Sequence, residues 1–261
     1  KKSLRLILGR EISQFLGGSF ITVLGSLLAG FLGYLYHLLM GRLLGPSEYG
    51  VLASLLSLLY VFSVPTATFS LVATKFAADF KKSRQFLEKT EKKSFLFSLL
   101  FFLFFGVLTP LIASFLHLQA FLPILLIGLC LALGFLVTFK GAILQGRLNF
   151  VPLAVGGTAN AAIKLLLGII FVYFGLGING AILPMVAGAI FSYFYFQHFL
   201  EKKEVGQKEK SSPSSSLTNK EIWDYTKPIF FLVLLLPSFT ALTLFLPVTF
   251  LPRRKRAGMA P

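Results

Sequence analysis

Six apolar runs of about twenty residues or more follow one another in this chain, at roughly 15–41, 50–78, 94–115, 122–144, 152–174 and 177–199, and a seventh begins near Pro228. At 1.5 Å per residue a helix of that length crosses a hydrocarbon core of about 30 Å. Lipid offers a backbone no hydrogen-bond partner, so the spans must satisfy their own N–H and C=O groups, which helices do and an open sheet does not. The expected fold is therefore an all-α integral membrane protein, a six-helix transmembrane bundle plus the start of a seventh helix.

Composition excludes the soluble alternatives. The chain is 56% hydrophobic and 13% charged, with thirty Phe and a mean hydropathy of +0.80, too few polar side chains to clothe a water-facing surface. The net charge of +15 does not indicate nucleic acid. Its Lys and Arg gather in the short gaps between apolar runs, where anionic lipid headgroups and membrane topology account for them. The single cysteine, Cys130, lies within a run and allows neither a disulfide framework nor a Cys-rich metal site. The first run lacks a small-residue cleavage site followed by a polar domain, so a permanent span is expected there.

Orientation is set by the gaps. Lys1, Lys2, Arg5 and Arg10 precede run one; Lys81, Lys82, Arg84, Lys89, Lys92 and Lys93 follow run two. Arg147, flanked by Lys140, follows run four, and Lys202, Lys203, Lys208, Lys210 and Lys220 follow run six. The alternate gaps hold only Arg42 with Glu48, or no charge. Basic residues accumulate on the cytoplasmic side, which places the N-terminus in the cytoplasm of a multi-pass inner (plasma) membrane protein. The Ser- and Lys/Glu-rich stretch from Glu201 to Asp224 reads as a linker. The expected organisation is a six-helix lobe over 1–200, a cytoplasmic linker over 201–224 and the start of a second lobe over 225–261.

Polar groups inside the spans are the functional candidates, because charge in a lipid-crossing helix is costly and faces a bundle interior or water. On run five, Gly157, Asn160, Ala161, Lys164 and Gly168 share one helical face, with Lys164 near mid-membrane. That places an amine beside an internal cavity, or leaves it to snorkel or to pair with a carboxylate elsewhere. On run two, Thr68, Lys75 and Asp79 share a face beyond Pro65, with Lys75 and Asp79 spaced for an ion pair. Arg42 lies in the outer turn, paired with Glu48 or guarding a mouth. The candidate cavity residues are thus Lys164, Asn160, Arg42, Lys75 and Asp79. His37, His117 and His198 have no metal-site spacing and are assigned to packing or the interface. Tyr34, Tyr36, Tyr60, Trp223 and Tyr225 are expected as interfacial anchors. Gly18, Thr22, Gly25, Ser26, Ala29, Gly30 and Gly33 form a stripe for close helix approach. No nucleophile triad, phosphate-cradling loop or acidic pair occurs, so neither enzyme activity, metal nor cofactor is expected.

The passage Gly41-Arg42-Leu43-Leu44-Gly45-Pro46-Ser47-Glu48-Tyr49-Gly50-Val51 resembles the polysaccharide transporter branch of the multidrug/oligosaccharidyl-lipid/polysaccharide exporter superfamily. Physically it suits a tight turn, with Gly45-Pro46 ending one helix and starting the next. Gly141, Leu144-Gln145-Gly146 and Phe150, then Gly175-Leu176-Gly177-Ile178-Asn179-Gly180-Ala181, are similar to later turns of that family. The resemblance covers most of residues 10–200. It implies a six-helix lobe facing a second such lobe across a cavity, with alternating access carrying lipid-linked oligosaccharide to the outer leaflet. The partners it implies are a lipid-linked anionic glycan, membrane lipids, a second lobe and polysaccharide assembly proteins. A related drug or lipid exporter, and a non-transporting scaffold of a polysaccharide assembly complex, are the alternatives. Family members carry twelve or more spans. The basic tail from Arg253 resembles nothing in them, whereas a neighbouring reading frame can spell Glu-Glu-Ala-Gly-Arg-Tyr-Gly, close to the family's next turn. A frameshift upstream of Thr243 is therefore expected, with a real basic tail as the alternative.

Overall fold

A computed structural model describes residues 2–78, 80–116 and 121–205, and these are all helix and short turns. The helices are α1 (Lys2–Ala78), α2 (Phe80–Phe115), α3 (Leu122–Gly146), α4 (Phe150–Tyr173) and α5 (Gly177–Val205). Each contains an apolar stretch long enough to cross a membrane, from Gly17–Lys75 in α1 to Gly177–Glu201 in α5. Five helical runs therefore stand where six and the start of a seventh are expected. The difference has two sources: runs one and two are continuous in α1, and the seventh run, with most of the expected linker, lies outside the described residues. The basic tail and the expected frameshift lie outside them as well.

The continuity of α1 conceals a reversal. Gly45 has φ 75° and ψ 173°, which breaks the helix into two legs. Twelve residues of unbroken helix rise about 18 Å, yet the Tyr49 hydroxyl lies 3.3 Å from His37 Nδ1. The chain thus folds back at Gly45. Only glycine tolerates that φ/ψ region, proline disfavours a helical residue before it, and Pro46 suits the first turn of the second leg. The Gly-Pro pair is a physical instruction for a hairpin.

The later turns close on the same logic. After α4, Leu176 N–H bonds Phe171 O at 3.1 Å and Gly175 N–H bonds Val172 O at 2.9 Å, with Gly175 at φ 83°. This is the paired termination that a left-handed glycine makes possible. After α3 the same pair of bonds forms, Asn149 N–H to Leu144 O at 2.9 Å and Leu148 N–H to Gln145 O at 3.0 Å, but Leu148 takes the left-handed position at φ 54°.

Helix α3 is the central element, packed against α1, α2 and α5. Two buried clusters fill the bundle. One gathers Tyr36, Met40 and Leu55 of α1, Phe105 of α2, Ile127 of α3, Leu165 of α4 and Ile182 of α5. The other gathers Val72 and Ala77 of α1, Phe139 and Ile143 of α3, and Phe196 and Leu200 of α5. The small-residue stripe of α1 is used in part: a Cβ on Gly25 would lie 2.8 Å from that of Ala154 in α4, while Gly30 and Gly33 face open space. Thr158 on α4 donates to Gly25 O at 3.2 Å across the same seam. Close backbone approach and an interhelical hydrogen bond are the usual means of association where lipid removes the hydrophobic drive.

Candidate functional site

Lys164 lies on α4, about 21 Å along a helix of roughly 35 Å. Its Nζ sits over the ring of Tyr36, 4.1 Å from the centroid. Among the described residues no carboxylate pairs with it and no hydrogen bond reaches it. The pairing that would have made this lysine a structural element is therefore absent there, and an ammonium stands half-buried inside the bundle on a ring face alone.

Tyr36, expected as an interfacial anchor, is fully buried and donates its hydroxyl to Ala181 O of α5 at 2.9 Å. Tyr34 and Tyr60 are exposed, as anchors should be. The reason is periodicity: Tyr36 and Met40, one turn apart, face Gly168 of α4, where a Cβ would lie 3.3 Å from the Tyr36 ring. The missing side chain lets the ring slide beneath α4 and meet Lys164 one turn away. His37 beside it makes an edge contact with Tyr36, centroids 5.5 Å apart, and shares a hydrogen bond with Tyr49.

Asn160, one turn from Lys164, faces α5, donating from Nδ2 to Ser192 Oγ at 3.1 Å. Gly188 makes room for it, since a Cβ there would lie 2.9 Å from Asn160 Oδ1. Asn160 and Lys164 thus occupy one face of α4 but touch different neighbours. Arg42 is exposed at the hairpin and does not pair with Glu48, against expectation. Glu48 lies instead against the first residue of α5: a Cβ on Gly177 would come 3.1 Å from its Oε2. The start of a helix carries partial positive charge and unpaired N–H groups, a competing attraction for a carboxylate. Thr68 is buried and donates to Val64 O at 3.2 Å, whereas Lys75 is exposed at the opposite end of the bundle from Arg42. Asp79 lies outside the described residues. The five candidates therefore do not form one cluster: Lys164 and Asn160 are neighbours, and Arg42 and Lys75 are not.

A second polar group is buried near the end of α3. Lys140 donates to Glu91 Oε1 of α2 at 2.9 Å and to Gln197 Oε1 of α5, and lies 4.7 Å from the centroid of the Tyr193 ring.

The sequence profile of a family described as polysaccharide biosynthesis protein matches residues 39–212, two thirds of the chain. The protein belongs to that family. Among solved structures, the chain is similar to an outward-facing multidrug resistance MATE family transporter of the MOP superfamily, with a TM-score of 0.62. It is similar also to a MOP superfamily transporter from Pyrococcus furiosus whose binding pocket is described as having reversed polarity, with a TM-score of 0.63. In both cases the identity is 14% and the match covers 87% of this chain and 54% of the other. The fold is shared, and this chain spans about half the length of those transporters. No curated protein matches.

That Lys164 and Asn160 share one face of α4 is legible from helical spacing alone. The Lys140 group was not singled out, because its members lie 49 and 57 residues apart in sequence. The available signal was a lysine inside an apolar run six residues from its helix end, and it names no partner.

Proposed function

We propose that this protein carries a lipid-linked oligosaccharide or polysaccharide precursor from the inner to the outer leaflet by alternating access. The observation that carries the reading is Lys164: a mid-span ammonium with no carboxylate partner among the described residues suits an anionic group that is present only part of the time. A permanently paired lysine would be structural, and a lone one in lipid is costly unless a cavity, water or ligand attends it. Membership of a polysaccharide biosynthesis family and the transporter fold support the same reading.

In this reading the two legs of α1 and the helices α2 to α5 make six crossings, with the N-terminus in the cytoplasm. Residues 1–200 act as one lobe, the stretch 201–224 links it to a second lobe that starts at 225, and the two lobes together enclose the cavity. Asn160, hydrogen-bonded to Ser192, lines the approach to Lys164. A related exporter of drugs or lipids is the second reading, favoured by the fold of the multidrug transporter.

The test is export of lipid-linked sugar by full-length protein carrying Lys164→Ala or Lys164→Arg at equal membrane abundance. Loss in the first with retention in the second is expected. Unchanged export in Lys164→Ala removes Lys164 from the pathway and favours a scaffold.

A further inference from the structure

The Lys140 group links α2 to α5, two helices whose main packing partners are others. Lys140 is 4% exposed, and its ammonium touches two helices besides its own: Glu91 of α2, Gln197 of α5 and the ring of Tyr193, also of α5. Gln197 in turn donates its amide N–H to Glu201 Oε1, one turn further along α5. Apart from this group, α2 packs on α3 and on α1, while α5 packs on α4, α3 and α1. Among the described residues, Lys140 thus ties α2, at Glu91, to α5, at Gln197, through α3.

The tie is asymmetric in a way that suits release. Glu91 is 54% exposed in its side chain, so its carboxylate can be taken up by water with little loss. Lys140 is itself buried and does not share that freedom. Lys140 does, however, line a cavity of about 60 Å³ together with Glu91, Gln197, Glu201, Phe139, Ile143 and Leu200, several times the volume one water molecule needs. Water can therefore follow Glu91 out and hydrate the ammonium that it leaves. A pair held for rigidity alone would be buried on both sides, whereas here the carboxylate is open to solvent.

We propose that Lys140 is the hub of a releasable latch that holds α2 to α5 through α3 at one membrane face, and that opening of α2 proceeds by loss of the Glu91 contact. The inference stands on helix positions and not on the identity of the transported molecule, so it can fail while the transport reading survives.

The test reads helix separation in the full chain, in membranes without transported solute. Ser98 of α2 is buried against α3, donating to Ala132 O at 2.7 Å. In a Cys130→Ala background, which removes the one native cysteine, Ser98→Cys becomes a reporter whose maleimide labelling rate follows α2 opening. Glu91→Gln and Lys140→Met are each expected to raise that rate on the order of tenfold. The double variant should label no faster than Lys140→Met alone, because both remove one contact. Rates within twofold of the unaltered latch, or effects that multiply in the double variant, overturn the proposal. Should Lys140→Met not accumulate, Glu91→Gln decides alone, since it alters an exposed side chain and leaves Lys140 in place: a labelling rate within twofold of the unaltered latch rejects the proposal.

Discussion

Tyr36 makes two separable contributions, and two substitutions part them. Tyr36→Phe removes only the hydroxyl that bonds Ala181 O at 2.9 Å. Such a bond contributes about 0.5–1.5 kcal/mol, with membrane interiors near the lower end. Tyr36→Leu removes in addition the ring face that lies 4.1 Å from Lys164 Nζ, worth about 1–2 kcal/mol for a partly desolvated cation. Packing is also lost in Tyr36→Leu, so the ring contribution is isolated by repeating it in Lys164→Met. The coupling energy of that cycle should be about 1–2 kcal/mol. Cys130 is buried and is the one cysteine of the chain, so a thiol-reactive dye reports thermal unfolding in detergent. Each kcal/mol should appear as a midpoint shift of roughly 2–4 °C. A coupling below about 0.3 kcal/mol, with Tyr36→Phe and Tyr36→Leu equally stable, would mean that Lys164 does not rest on the ring and that its partner is elsewhere.

Two backbone predictions accompany it. Gly45→Ala places a Cβ at φ 75°, ψ 173° and should destabilise the hairpin by about 1–3 kcal/mol, read in the same unfolding assay; an effect under about 0.5 kcal/mol would reject the strained turn. Leu148→Gly should raise stability by about 1 kcal/mol, since Leu148 holds a left-handed position at φ 54° that glycine takes without penalty, and a fall in the unfolding midpoint would contradict that.

How far the site could be seen in advance depended on the range of the interaction. Lys164 and Asn160 share a face because 3.6 residues make a turn, and that face needs no knowledge of any other helix. The partner of the face does. Tyr36, near the end of its run, looked like an interfacial anchor, but Gly168 on another helix admits its ring to the interior. Arg42 and Glu48, six residues apart in a turn, suggest a pair by spacing, whereas Glu48 lies beside the start of α5. Lys140 and Glu91 could not be matched at all from spacing.

The sequence by itself determined that the chain is a bundle of membrane helices, where it reverses at Gly45-Pro46 and Gly175, and which family's turns it carries. Those features rest on local quantities: the length of an apolar run, the dihedrals open to Gly and Pro, and the charge of a short gap. Only the tertiary structure decided which charges are satisfied. An ammonium inside a bundle is neutralised or left waiting according to what the facing helix presents, so Lys140 is closed off by Glu91 and Gln197 while Lys164 has a ring and, among the described residues, no carboxylate.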